Sequence, residues 1–213
     1  MRPSRLERMI DLKEIFMTAA IVALVFAWSG MVEAAGFTQA QIDKMMAYVE
    51  QNPAASPENK LTLNLTPAQL QTSFNAEVKP ILDKTQFDND EERAMMEKIF
   101  LIQDFQVFES DAGKFYMNVF GNNAAIFGVT GNDNDGLKLA TCAYANPETN
   151  AEKTLSSVIL FSFVKVVAPA ENPGELLKTL AAEQTGTLIR NGIKFSAGRD
   201  GDLILLSAVK AAD

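Results

Sequence analysis

One stretch of the chain, from Thr149 to Pro169, constrains the fold more than any other. Between Leu155 and Ala168 it carries a single charged residue, Lys165, among Leu, Val, Ile and Phe. A bilayer-spanning helix needs ~20 apolar residues, so this stretch is too short to span a membrane comfortably. A segment that is apolar on nearly all sides has to be covered by protein. We therefore expect the rest of the chain to pack around it.

This central segment is predicted to be a helix. Thr149 and Glu152 have the spacing of a capping box, in which each side chain bonds the backbone N–H of the other at a helix start. The high Val and Ile content favours a strand, which remains the alternative. Pro169 ends the segment, because proline cannot continue a helix.

The N-terminal residues have the pattern of a bacterial signal peptide. A basic start precedes an uncharged, mostly apolar run from Ile15 to Val32, and we place the cleavage after Ala34. The basic residues are Arg2, Arg5, Arg8 and Lys13. An uncleaved signal anchor is the alternative, since the run is about long enough for one. No cysteine follows the run directly, so we expect no lipid anchor, and the choice among Met1, Met9 and Met17 as the start stays open.

Three parts follow from this boundary. We predict residues 1–34 as the signal peptide, 35–60 as an N-terminal helix and linker, and 61–213 as a single α+β domain. The leader predicts a periplasmic or secreted protein. Cys142 is the only cysteine, so an exported domain of this kind lacks an internal disulfide and depends on its core for stability.

The charge balance limits the partners of the protein. The leader holds four basic and four acidic residues, so the mature part keeps the whole formal charge of −8. An acidic surface argues against nucleic acid and anionic lipid as partners. We therefore expect contact with a membrane only through the leader, if it is not cleaved.

Further helices are predicted from capping residues and apolar periodicity. Thr38, Thr66 and Asn172 each have a Gln or Glu three residues later, as a capping box requires. Pro80 predicts a kink or an early end near Lys79 in the second of these helices. The predicted helices cover Phe37–Gln51, Thr66–Asp83, Arg93–Leu101 and a segment starting at Pro173. Residues 100–108 are rich in β-formers, so helix and strand both stay open for them.

An alternating pattern replaces the helical one after Asp104 and predicts strands. Four strands separated by short turn sequences favour an antiparallel meander. Asp200-Gly201 predicts a C-terminal hairpin. The meander strands are Phe105–Glu109, Lys114–Phe120, Ala124–Thr130 and Leu137–Ala145, and the hairpin strands are Gly192–Ala197 and Leu203–Val209. Leu61–Leu65 is a short strand or an extended arm.

The order of these elements predicts an α+β fold, because strands and helices are segregated along the chain. We expect a single antiparallel sheet of about six strands, made of the meander and the hairpin. The central apolar helix should lie on the apolar face of this sheet, with the other helices around it.

The sequence lacks one of the side chains that enzymes use most often for acid–base chemistry. It contains no histidine, which removes Ser-His-Asp and Cys-His nucleophiles and histidine-based metal sites. Cys142 lies in a strand-like run, which favours a buried apolar role over a reactive thiol. Ser156-Ser157 near Lys153 is better explained as the polar start of a helix than as a Ser–Lys pair.

Metal-binding patterns are also weak. Residues 131–136 resemble the front of a calcium loop, but Gly131 and Cys142 occupy positions where an EF-hand needs Asp and Glu. The acidic run 88–92 is more typical of a solvated helix start than of paired catalytic carboxylates. The pairs Met45-Met46 and Met95-Met96 are better explained as core residues than as copper ligands. We therefore predict no metal and no cofactor.

These observations favour an exported, non-enzymatic binding protein of the bacterial cell envelope. In the first version, it presents a sheet or helix surface to another envelope protein or to itself. In the alternative, a pocket between helix and sheet binds a small apolar ligand. The candidate pocket or core residues are Phe161, Phe163, Leu160, Cys142 and Tyr144. An enzyme that uses carboxylates alone is the third hypothesis. We predict that Phe161→Asp abolishes soluble expression, because it places an unpaired charge in the core.

Overall fold

A computed structural model of the chain describes residues 37–110, 113–121, 123–131, 134–145, 147–183 and 186–212. The predicted signal peptide and its cleavage after Ala34 lie outside the described residues. So do parts of three predicted turns, at residues 111–112, 122 and 132–133.

The described part is built on one seven-stranded sheet, in which every neighbouring pair of strands is antiparallel. The spatial order is β1-β2-β3-β4-β7-β6-β5. The strands are β1 Gln106–Ser110, β2 Gly113–Phe120, β3 Ala124–Gly131, β4 Asn134–Ala145, β5 Thr187–Arg190, β6 Ile193–Asp200 and β7 Leu203–Lys210. The predicted α+β class, the four-stranded meander and the C-terminal hairpin are confirmed.

The sheet has one strand more than the six expected. β5 is only four residues long, and the turn at Asn191-Gly192 joins it to β6. Both turn residues have positive φ, 49° and 72°, as a type I′ hairpin turn requires. The Asn-Gly signal was present in the sequence, but the strand before it was too short to be noticed. In the next hairpin, β6 continues to Asp200, so the turn is Gly201-Asp202 and is shorter than predicted.

In the described ranges, five α-helices surround the sheet, and four of their predicted starts agree with the structure. The helix predicted from Arg93 begins three residues earlier, at Asp90. Capping boxes begin α1, α2 and α4 at Thr38, Thr66 and Thr149, while Asn89 and Asn172 cap α3 and α5. The helices are α1 Gln39–Glu50, α2 Pro67–Asp83, α3 Asp90–Phe100, α4 Asn150–Val167 and α5 Pro173–Ala182, with a short 3-10 helix at Pro53–Ala55.

The central segment is the helix α4, as expected, and it lies against one face of the sheet. Ile159, Phe163 and Val164 of α4 share a buried cluster with Ile126 of β3 and Cys142 of β4. Helices α2, α3 and α5 contribute to the same cluster. We call this side of the sheet the inner face. Its core joins the four later helices to the sheet as one body.

The opposite, outer face is covered by α1 and the 3-10 helix. Met45 and Val49 of α1 pack in a second buried cluster with Phe115, Phe127 and other sheet residues. Polar contacts add to this packing. The hydroxyl oxygens of Tyr48 and Ser207 lie 2.7 Å apart, and Ser207 lies 3.0 Å from Thr141 Oγ1 on the neighbouring strand.

Two local predictions need correction or a choice between alternatives. The early end of α2 near Lys79 is wrong, because the helix continues to Asp83 with Pro80 inside it. Pro80 and Ala76, whose carbonyl loses its helical partner, are both exposed, so water can bond this carbonyl. The segment 100–108 divides between the two alternatives, since α3 ends at Phe100 and β1 begins at Gln106.

The stretch Leu61–Leu65 is an extended arm and not a regular strand. Leu63 donates its backbone N–H to Leu137 O at 2.8 Å, and Leu137 donates to Leu65 O at 2.8 Å. Asn64 between them has a φ of 53°, which bends the arm at this point. The arm therefore pairs with β4 at Leu137. This residue lies on the N-terminal side of Leu139, where the pairing of β4 with β7 begins.

Candidate functional site

The candidate pocket residues lie mainly in packed core. Phe163 and Cys142 have no exposed surface, and the same holds for their neighbours Ile126 and Ile159. A cavity large enough for water would leave accessible surface on its walls, so no such cavity touches these four side chains. Leu160 and Tyr144 are partly buried and pack against the same cluster.

Phe161 is not in the core, so its predicted burial is wrong. Its side chain is 40% exposed, on a stripe of α4 that also carries Lys153 and Ser157. Residues two apart on a helix point about 200° away from each other, so the burial of Phe163 turns Phe161 outward. Phe161 faces the start of α5, where its Cε1 lies 3.8 Å from the place a Cβ would take on Gly174.

The thiol of Cys142 is unsuited to chemistry. Burial raises the pKa of Cys142 far above its ordinary value, which keeps the sulfur protonated. Burial, and secondarily the nearby Cys142, raises the pKa of Tyr144. The interpretation of Cys142 as a small buried hydrophobe is therefore confirmed by its position between sheet and helices.

The other chemical candidates fall on structural positions. Asn89 caps α3, and Glu92 accepts a hydrogen bond from the Asp88 N–H, so this acidic run forms a helix start. Ser157 donates to the carbonyl of Lys153, not to its amine. Met45 and Met96 are buried in different clusters. Among the described residues, no three His, Cys, Asp or Glu side chains group as a metal site, and residues 132–133 of the calcium-like loop are outside this range.

The surface features that stand out are the two open edges of the sheet. Two of the exposed large apolar side chains lie on the edge strands: Val107 on β1 is 51% exposed, and Ile189 on β5 is 56% exposed. The other two in the described part are Leu61 and Phe161. Edge strands present unpaired N–H and C=O groups, and most proteins protect them with lysine, proline or a bulge. β1 and β5 contain no lysine, proline or bulge; they are short, and each carries one exposed charge, Glu109 or Arg190.

The hydrogen-bonding groups of β5 can be assigned from its turn. Arg190 and Ile193 flank a two-residue turn and form a hydrogen-bonded pair, so the next such pair is Leu188 with Phe195. The bond from Ala197 N to Gly186 O, at 2.7 Å, continues this alternation. Ile189 lies between two bonded pairs, so its N–H and C=O point away from β6 towards the open edge.

The outward-pointing hydrogen-bonding groups of β1 can also be assigned from its turn. Ser110 and Gly113 flank a two-residue connection and form the bonded pair nearest to it. Phe108 with Phe115 is then the next bonded pair. The N–H and C=O groups of Val107 and Glu109 therefore point outward from the edge.

The two outermost strands carry opposite charges, and Glu109 also lies opposite Lys114 of β2 on the same face. Glu109 is exposed on β1, which has no basic residue, while Arg190 is exposed on β5, which has no acidic residue. Both charged residues project from the inner face, since they share the strand parity of Val107 and Leu188. The sequence does not reveal these two edges, because which strands lie at the edges depends on the order of strands in the sheet.

No helix in the described ranges is both long enough and apolar enough to cross a bilayer. No known protein family, curated protein or solved structure matches this chain.

Proposed function

We propose that this protein is a non-enzymatic binding protein that holds a polypeptide partner through the open edges of its sheet. In strand addition, an extended segment pairs with an edge strand, and backbone hydrogen bonds supply much of the affinity. The leader, if it acts as predicted, places this activity in the bacterial envelope or outside the cell. The partner is then another exported protein or a second copy of the chain.

The observation that carries the proposal is the exposure of Val107 and Ile189 on the two edge strands. An apolar side chain beside outward-pointing amides offers both burial and hydrogen bonds to an added strand. Neither group is needed by the fold, since both side chains lie outside the two buried clusters.

The packing of the inner face supports protein binding over a ligand pocket. The residues that would line such a pocket are filled core, with Phe163 and Cys142 inaccessible to water. A buried apolar site would therefore require the helices to move off the sheet. The absence of histidine from the sequence and the protonated thiol add support for a non-enzymatic role.

Photo-crosslinking tests the proposal. A photoreactive phenylalanine derivative is placed at Val107 or Ile189, and the same derivative at Phe161 is the matched control, exposed on a helix. After irradiation of intact cells, we expect polypeptide adducts from the two edge positions and none from position 161. Adducts from position 161 alone would indicate that the binding surface lies on α4. The absence of adducts from both edge positions would refute the proposal.

A further inference from the structure

We propose that the partner is a second copy of this chain, with β1 of one copy pairing in parallel with β5 of the next. The proposal rests on the edge-binding function above and names its partner. The two edges of one molecule are too far apart to meet, since six strand spacings of ~4.8 Å separate them. The contact must therefore form between molecules.

The direction of the strands permits this pairing. Every step across the seven-stranded sheet is antiparallel, so β1 and β5 run in the same direction. When two copies join edge to edge with their inner faces on the same side, the two strands therefore meet in parallel. Sheets that mix parallel and antiparallel pairs are common.

Side-chain complementarity selects one register. Val107 opposite Leu188 puts apolar residues together on the inner face. The same register sets Phe108, half-buried on the outer face, opposite Ile189. It also sets Glu109 opposite Arg190 on the inner face, where an acid meets a base. These pairs cover both exposed edge side chains.

The hydrogen-bonding pattern is compatible with this register and excludes a slip of one residue. In a parallel ladder, a residue that points towards its partner strand bonds the residues before and after the one opposite to it. With Val107 opposite Leu188, its C=O accepts from Ile189 N–H, and Glu109 N–H donates to Ile189 C=O. All of these groups point outward at the two edges. A slip of one residue would oppose groups that are already bonded within each molecule.

Pairing of like edges fits less well. Two β1 strands related by a two-fold axis run antiparallel, and matching of their faces allows Val107 opposite Val107 or opposite Glu109 of the partner copy. In neither register does Glu109 meet a basic residue, since β1 contains none. The charge of Glu109 is then left without an opposite charge from the partner copy, and Arg190 and Ile189 remain uncovered. The acidic and basic edges favour the head-to-tail arrangement.

The arrangement predicts an open series of oligomers. Each strand step rotates by about 20–25°, so seven steps turn one copy by about 140–175° relative to the next. Head-to-tail contacts that do not close into a ring extend as filaments. A single strand pair is a small interface, so we expect assembly at ~10 µM to ~1 mM protein and not at nanomolar concentration.

A disulfide experiment tests the register. The purified mature protein carries Glu109→Cys and Arg190→Cys together. In the proposed register the Cα atoms of these two residues lie ~5 Å apart across the interface, a distance that suits a disulfide. Cys142 is buried and does not compete. After mild oxidation, a denaturing, non-reducing gel should show a ladder of covalently linked species for the double variant and no ladder for either single variant. A double variant that remains monomeric, or a single Glu109→Cys variant that dimerises efficiently, overturns the proposal.

Charge reversal tests the pairing without a covalent link. Sedimentation velocity of Glu109→Arg and of Arg190→Glu should show about tenfold weaker self-association than the parent protein. In each variant alone, residues 109 and 190 carry charges of the same sign. In a mixture of the two variants, the β1 edge of one variant and the β5 edge of the other carry opposite charges. Mixing should therefore restore assembly, as should the double swap within one chain. Both residues are exposed, so folding is not expected to change.

The outcomes separate the two proposals. A parent protein that is monomeric up to ~1 mM, or assembly insensitive to both reversals, overturns self-pairing. Adducts of Val107 and Ile189 derivatives with a different protein would then still support edge binding. Adducts with the chain itself, together with restoration on mixing, support both.

Discussion

Asn75 of α2 bonds both peptide groups of Ile102 with its single side-chain amide. Its Nδ2 donates to the Ile102 carbonyl oxygen at 2.8 Å, and its Oδ1 accepts from the Ile102 N–H at 2.9 Å. Ile102 lies between α3 and β1, outside any regular element, and is buried. The Asn75 amide thus replaces the backbone partner that a strand or helix would have supplied.

Removal of this amide should destabilise the fold. Asn75→Ala leaves the Ile102 N–H without a partner, and leaves the Ile102 C=O only the long bond of 3.4 Å from Gln71 Nε2, in a site that water reaches poorly. We expect the free energy of unfolding to fall by about 2–3 kcal/mol in urea titrations. Gln86→Ala, at an exposed loop position, is the control and should change it by less than ~0.5 kcal/mol. Equal, small effects of the two substitutions would show that water replaces the amide.

Replacement by aspartate should have a small effect on folding at Phe161 and a large one at Phe163. Phe161→Asp should remain soluble and lose less than about 1.5 kcal/mol of stability, since its ring is 40% exposed. Phe163→Asp places an unpaired carboxylate in the core and should abolish soluble expression. Soluble yield and circular dichroism measure both. Insoluble Phe161→Asp would mean that its contact with the start of α5 is essential.

The stability of the protein should decrease at alkaline pH because of Cys142. Burial raises the folded-state pKa of the Cys142 thiol, while the unfolded thiol ionises near 8.5. The stabilisation is therefore complete below the unfolded pKa and declines above it, by about 1.4 kcal/mol per pH unit. Between pH 7 and pH 10, urea unfolding should show a loss of about 2 kcal/mol that Cys142→Ala lacks. A parallel decline in both proteins would place the titrating group elsewhere.

Replacing the two prolines of α2 by alanine should affect the stability of the protein differently. Pro80→Ala restores an N–H donor in the helix interior, and we expect a gain of about 1–2 kcal/mol in unfolding free energy. Pro67→Ala changes the first helical position, where proline is favourable, so we expect no gain. Thermal denaturation of the two variants measures the difference. A loss of stability in Pro80→Ala would indicate that the helix is bent at this residue for packing.

Local sequence signals predicted the helix starts well. Thr38, Thr66 and Thr149 each bond the residue three positions later, because a capping box depends only on neighbours in the chain. The apolar content of α4 likewise required burial under other elements. The strand β5 was missed because four residues carry too little periodicity, although the Asn191-Gly192 turn marked its end.

The amino-acid sequence by itself determined the α+β class, the antiparallel meander and the capped helices, since capping, turn chemistry and apolar alternation act over a few residues. Only the tertiary structure decided which side of α4 faces the sheet, and so why Phe163 is buried and Phe161 is not. It also decided that β1 and β5 end the sheet. Strand order arises from contacts between distant segments, and an edge exists only once every other strand has found two neighbours.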